Sequence, residues 1–226
     1  MNTTKDALMV LSGGMDSVTM LHEYADRIDL AVNFCYGSNH NARELECARR
    51  HCRELGIELV VIDLSFIGEL FHSSLLEGSE AVPVGEYDFD NMKSTVVPFR
   101  NGIMLAAAAG LAESHGLKAV FIANHAGDHA LYPDCREAFV KAMAGAIAEG
   151  TYEHIVLEAP YTLLTKADIA RRGKEMGLDY STTYSCYKGR ETHCGRCGTC
   201  RERRAALAEA GIVDMTVYYD EDEENE

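Results

Sequence analysis

The sequence predicts a doubly wound α/β protein: a parallel sheet with helices on both faces, carrying a small helical appendage near its C-terminal end. Three observations lead there. Short apolar runs alternate with helical stretches along the first half of the chain, a Ser12-Gly13-Gly14 turn separates the first run from the first helix, and Cys186, Cys194, Cys197 and Cys200 crowd together late in the sequence. Alternation of this kind calls for parallel strands joined by right-handed crossovers, with ligands at the C-terminal ends of the strands.

The elements follow in order. Residues 7–11 form a strand-length apolar run, and residues 16–25 continue as a helix with Val18, Leu21 and Ala25 on one face. Residues 28–34 and 57–62 read as the second and third strands, separated by a charged amphipathic helix over 40–55 that ends at Gly56. Residues 64–95, with Gly68, Gly78, Pro83 and Gly85, read as a mobile insertion over the site, with a short helix over 66–76, or as an ordinary surface loop. An alanine-rich helix over 103–114 is apolar nearly all round and is expected to be central. Residues 117–123 form the fourth strand, 135–149 a helix, 154–158 the fifth strand, and 166–176 a helix closed by Gly177. The expected organisation is an α/β domain over 1–178, a cysteine-bearing subdomain over 179–213 and a tail over 214–226, acidic and disordered from 220.

Bulk properties narrow the function. The net charge is −15, and the tail's Asp220, Glu221, Asp222, Glu223, Glu224 and Glu226 carry six of those charges, leaving −9 on the rest. Binding to nucleic acid through its phosphates is driven by Lys and Arg displacing counterions, so an acidic body excludes nucleic acid as a partner and points to a small substrate. The longest apolar stretch, around 103–111, is far short of a membrane span, and the N-terminus has no signal-peptide character, so a soluble cytoplasmic protein with no membrane partner is expected.

Four stretches carry candidate chemistry. Glycines at 13 and 14 let backbone approach a ligand, so the amides of the turn and the helix N-terminus can face an anion, with Ser12 and Ser17 adding hydroxyls; a plain strand-to-helix corner needs similar residues. Neither Gly-Lys-Ser nor three spaced glycines is present, which excludes a Walker A loop and a dinucleotide fingerprint. Cys186, Cys194, Cys197 and Cys200 can close a tetrahedral shell around one structural zinc, with Gly195 and Gly198 allowing the turns and a helix following over 201–210; an iron–sulfur cluster and unmetallated core cysteines are the alternatives. Asp128, Tyr132, Asp134 and Arg136 follow the fourth strand, where a pocket is expected, although Pro133-Asp134 also suits a helix start. Arg100-Asn101 emerges from a Pro-containing turn, and Lys166 is placed to neutralise pyrophosphate or simply to sit at the surface.

Taken together, these strings resemble a known family. Ser12-Gly-Gly-Met-Asp-Ser17 is similar to the pyrophosphate-binding loop of the N-type ATP pyrophosphatases. Val97-Pro-Phe-Arg-Asn101, Tyr132-Pro-Asp-Cys-Arg136, Leu164-Thr-Lys-Ala-Asp168, Ser185-Cys-Tyr187 and the run from His193 to Arg203 resemble, in order, the QueC family of 7-cyano-7-deazaguanine synthases. The resemblance implies a Rossmann-like, adenine nucleotide alpha hydrolase-like fold and a homodimer. It implies an ATP-dependent ligase that turns 7-carboxy-7-deazaguanine and ammonia into the nitrile through adenylated intermediates and an amide. It also implies that Leu11, Ser12, Gly13, Gly14, Met15, Asp16, Ser17, Val18, Thr19, Met20, Leu21, Arg100 and Asn101 bind ATP. Asp16 would place Mg²⁺, Ser12, Asp16, Ser17 and Lys166 would be catalytic, and Asp128, Tyr132, Asp134 and Arg136 would contact substrate. The sequence departs from the family at Ala130-Leu131, where Ser-Gly is usual. Another adenylating ligase of the same fold, or a nucleotide-binding regulatory module, is the alternative.

Overall fold

In the computed structural model, residues 5–79, 93–127 and 132–219 are described. Asp128, Ala130-Leu131, the middle of the expected insertion and the acidic tail from 220 lie outside the described residues.

Alternating apolar runs become five parallel strands: β1 (Ala7–Val10), β2 (Ile28–Cys35), β3 (Glu58–Asp63), β4 (Ala119–Phe121) and β5 (Val156–Glu158), in the order β3-β2-β1-β4-β5. Register follows the pairing of Met9 with Ala31 on one side and with Phe121 on the other. Strand order reverses between β1 and β4, and a crevice opens there because successive crossovers leave in opposite directions.

Side chains alternate across β1, so Met9 and Leu8 feed opposite cores. On one face Met9, Ala31 and Phe121 pack against Val18 and Leu21 of α1 (Met15–Glu23), Ala48 of α2 (Asn41–Leu55) and Ile169 of α6 (Lys166–Glu175). On the other, Leu8, Val32 and Val120 meet Leu105, Ala108 and Ala112 of α4 (Arg100–Ser114) and Ile147 of α5 (Glu137–Gly150). The short α3 (Phe66–Leu70) and the residues after it contribute Ile67, Leu75 and Leu76 to this second core, so the start of the expected insertion is anchored by burial.

Several boundaries differ from expectation. α4 begins three residues early, at Arg100, because Phe99 adopts a left-handed backbone (φ 53°) that turns the chain straight into the helix. The Phe99 ring then lies over Gly102, where an added Cβ would sit 2.3 Å from it. α4 is also less enclosed than its composition implies: Ala106 and Gly110 face solvent. β4 pairs over three residues only, after which the chain leaves the sheet towards the crevice. α7 (Gly198–Glu209) starts before residue 201, with Cys197 at its N-cap.

The appendage docks through Met15, Ala170, Tyr180, Leu207 and Ala210. Its pivot is Arg203, which has no exposed surface. Its guanidinium donates to the Thr183 hydroxyl (2.8 Å), the Ser185 hydroxyl (3.1 Å), the Tyr180 carbonyl and the Thr216 hydroxyl (2.8 Å). Replacing it by an apolar side chain strands two buried acceptors, the Thr183 hydroxyl and the Tyr180 carbonyl, and two half-buried ones. Arg203→Met is expected to cost roughly 2–4 kcal/mol of stability, read as a lowered urea midpoint.

Candidate active site

A cavity of about 450 Å³ occupies the crevice beyond β1 and β4. The loop from β1 into α1 forms its floor. Gly13 holds φ at 110°, and a Cβ there would stand 2.0 Å from the carbonyl oxygen of Glu44, so the first turn of α2 rests directly on the loop. Asn33, buried on β2, donates to the carbonyls of Leu11 (2.8 Å) and Ser12 (3.0 Å) and fixes the strand end. Both serine hydroxyls are used inside the loop. Ser12 Oγ accepts from the Gly14 amide (3.1 Å), Ser17 Oγ accepts from the Gly13 amide (3.2 Å), and the two oxygens lie 3.0 Å apart. No side chain caps α1, so its first amides open into the cavity with the positive end of the helix dipole behind them. That arrangement suits phosphate.

On one side of the floor stands a charged cluster. Asp16 Oδ2 lies 3.5 Å from Lys166 Nζ and 3.7 Å from His125 Nε2, and Lys166 donates to Glu202 Oε2 at 2.6 Å. The Gly127 amide donates to His125 Nδ1, which assigns that ring's proton to Nε2, facing Asp16. A capping box between Thr165 and Asp168 starts α6 and sets Lys166 at its first position. Asp16 Oδ1 is buried with no hydrogen-bond partner. An orphan carboxylate oxygen beside a phosphate-type floor fits a divalent cation held between the two.

The opposite wall is Tyr36, His40, Glu44, Arg100, Tyr132 and Tyr187. Arg100 donates to the Tyr36 hydroxyl (3.0 Å) and its guanidinium lies over that ring. His40 Nε2 is 3.8 Å from Glu44 Oε2. Burial and the Arg100 charge hold His40 down to a pKa of about 3, whereas burial pushes Glu44 up to about 7 against the opposing pull of Arg100.

The expected site residues therefore separate. Leu11, Ser12, Gly14, Met15, Asp16, Ser17, Arg100, Asn101, Tyr132 and Lys166 line the cavity. Gly13 lies beneath the loop against α2. Val18, Thr19, Met20 and Leu21, expected at the nucleotide, are instead fully buried, because only the first turn of α1 reaches the crevice. The Thr19 hydroxyl, for example, is spent on Met15 O and Tyr180. Asp134, expected at substrate, is not part of the cavity lining. It is buried, accepts from the Asn101 amide at 2.9 Å and so caps α4, while Asn101 Nδ2 donates to its carbonyl (3.1 Å) and to Cys135 Sγ (3.3 Å). Arg136 is exposed at the start of α5 and outside the cavity lining. Sequence reasoning missed Asn33, His40, Glu44, Asn124, Thr199 and Glu202. His40 and Glu44 sit four apart on a helix that reads as charged and solvated, so no local signal marks the face that turns inward.

Cys186, Cys194, Cys197 and Cys200 are all buried, with sulfur atoms within 4.8 Å of one another. The amides of Cys194 and Cys197 donate to Cys186 Sγ (3.3 Å) and Cys194 Sγ (3.2 Å), and Gly195 takes the left-handed turn (φ 71°) that brings them round. Four thiolate donors without an open position fit a closed structural ion such as zinc. From this knot, Tyr184, Ser185, Thr199 and Glu202 project to the cavity.

The family model "Queuosine biosynthesis protein QueC" matches residues 6–211. This chain belongs to the QueC family. It is 59% identical to a 7-cyano-7-deazaguanine synthase of Porphyromonas gingivalis over 218 residues, covering 96% of this chain and 99% of that protein. It is 49% identical to the synthase of Desulfotalea psychrophila (94% and 98% covered) and 44% to that of Methanoregula boonei (94% and 98%). Among solved structures, NMN synthetase from Francisella tularensis superposes with a TM-score of 0.51 at 11% identity, covering 92% of this chain and 78% of that one. This likeness shows the fold alone. Among the described residues, no helix is long and apolar enough to cross a membrane.

Two outcomes are expected. Cys197→Ser should lower metal content, by elemental analysis, and melting temperature together. Glu44 binds its proton more tightly in the folded chain than in the unfolded one, so its ionisation weakens the fold as pH rises from about 4.5 to about 7. His40 acts in the opposite sense, its neutral form being favoured, between about 3 and 6.5. The advantage of Glu44→Gln over wild type should therefore grow by up to roughly 3 kcal/mol between pH 4.5 and 8 in denaturant titrations.

Proposed function

We propose that this protein is an ATP-dependent ligase that converts 7-carboxy-7-deazaguanine and ammonia into 7-cyano-7-deazaguanine. The observation that carries the reading is its near full-length relationship, at up to 59% identity, to proteins named for that product. The site is chemically suited to it. A free carboxylate resists ammonia because its leaving group would be oxide. Transfer of AMP from ATP to a carboxylate oxygen forms a P–O bond and releases pyrophosphate. Ammonia then forms the C–N bond as the C–O bond to AMP breaks, giving the amide. Adenylation of the amide oxygen, followed by loss of AMP and of the nitrogen protons, gives the nitrile.

In this reading the work is alignment and charge neutralisation. The amides of the α1 N-terminus, from Met15 to Ser17, hold the phosphates, with Lys166 and Arg100 balancing their charge. Asp16, through its unpartnered Oδ1, would hold Mg²⁺, which would supply further neutralisation of the phosphates. Leu11, Met15 and Asn101 flank the nucleotide. Tyr132, and Asp128 beyond the described residues, contact the deazapurine. Zinc on the four cysteines is structural and keeps the Tyr184–Ser185 wall in register. The cytoplasm, where ATP is available, and a homodimer complete the proposal.

The decisive experiment is mass spectrometry of the protein incubated with Mg-ATP, ammonium and 7-carboxy-7-deazaguanine. Amide and then nitrile, with AMP and pyrophosphate, are expected; an unchanged acid would overturn the reading in favour of a sibling carboxylate. Asp16→Ala should leave the melting temperature near wild type and lower kcat/KM by about 100-fold or more.

A further inference from the structure

On the helical face opposite α4, away from the cavity, α1 and α2 bring together a second set of metal-ligating side chains. His22 Nε2, His51 Nδ1 and Glu54 Oε2 converge, all within 4.8 Å of one another. The two ring nitrogens are 3.0 Å apart, and His51 Nδ1 lies 3.5 Å from Glu54 Oε2. Nitrogen ligands about 2.0–2.1 Å from a tetrahedral zinc lie roughly 3.3 Å apart, so little movement separates this arrangement from a coordination shell. Spacing of three places His51 and Glu54 on one side of α2.

The surroundings prepare the set. The Thr182 hydroxyl donates to the Asp179 carbonyl (2.6 Å), so at 3.0 Å from His51 Nε2 its oxygen must be the acceptor. The Thr182 carbonyl lies on the same side, 3.3 Å away. His51 therefore carries its proton on Nε2 and turns the lone pair of Nδ1 towards His22 and Glu54. An orienting hydrogen bond on the far nitrogen is the usual support of a metal-bound histidine. Arg50 Nε donates to Glu54 Oε1 at 2.9 Å, which leaves Oε2 facing the histidines. Burial lowers the pKa of both rings, so they are neutral, as ligands must be, at neutral pH.

We propose that His22, His51 and Glu54 form a second divalent-metal site, of the two-histidine, one-carboxylate class, that takes zinc or cobalt with water completing the shell. His22 need only shift its proton from Nε2 to Nδ1, so binding requires no net proton loss from the rings. Thr182 belongs to the segment that leads into Tyr184 and Ser185, so a metal here would brace α1 and α2 against the stretch carrying one wall of the cavity.

The test is equilibrium dialysis of the whole protein against micromolar zinc chloride, followed by elemental analysis, for wild type, His22→Gln and Glu54→Gln. Wild type should retain one more zinc per chain than His22→Gln, and Glu54→Gln should bind that extra ion at least about 10-fold more weakly. Because the readout is a difference between chains, it does not depend on occupancy of the cysteine knot. With cobalt chloride, the extra equivalent should add weak visible absorption without a further thiolate charge-transfer band. Equal metal content in wild type and His22→Gln would overturn the proposal and leave the pair as a hydrogen bond between two histidines. So would an extra equivalent that arrives with the thiolate band.

Discussion

One backbone contact organises the site: the carbonyl of Glu44 lies where a side chain on Gly13 would be. Any Cβ there would push α2 off the loop, and the positive φ of Gly13 adds a conformational cost for every other residue type. Because α2 seats directly on the loop, its first turn also forms a cavity wall, and His40 and Glu44 are carried in with it. The floor and one wall of the cavity are thus consequences of a single missing side chain.

Opposite that wall, order comes from polar side chains that satisfy one another. Lys166 bridges Asp16 on α1 to Glu202 on α7, so the charge cluster joins the sheet domain to the cysteine-bearing appendage. Arg203, one residue further along α7, ties the same helix to Tyr180, Thr183 and Ser185 from beneath. The appendage therefore holds a wall of the cavity as well as the four-cysteine cluster. Its position reaches the site through hydrogen bonds made by a guanidinium that water never touches.

The strings that carry the family resemblance divide between chemistry and support. Arg100 faces the cavity, yet its neighbour Asn101 is locked to Asp134 and Cys135, so two separate strings hold each other across the site. Thr165 and Asp168 form a capping box whose effect is to place Lys166. Phe99 folds over Gly102 and starts α4 early. A residue of such a string can thus act by fixing the backbone of the residue that faces the cavity.

The order of strands and helices was legible because it rests on local periodicity and on punctuation such as Gly56 and Gly177. The cysteine cluster was legible because its four ligands are close in sequence. The loop from Ser12 to Ser17 was legible because its glycines and serines act within one turn. Tertiary structure alone decided that Asp134 supports α4 rather than facing the cavity, and that Val18, Thr19, Met20 and Leu21 are core. It alone decided that Asn33, His40, Glu44 and Glu202 line the cavity, and that His22 meets His51. Each of these depends on packing between elements distant in the chain, and a helix sequence records which residues share a face but not what that face will meet.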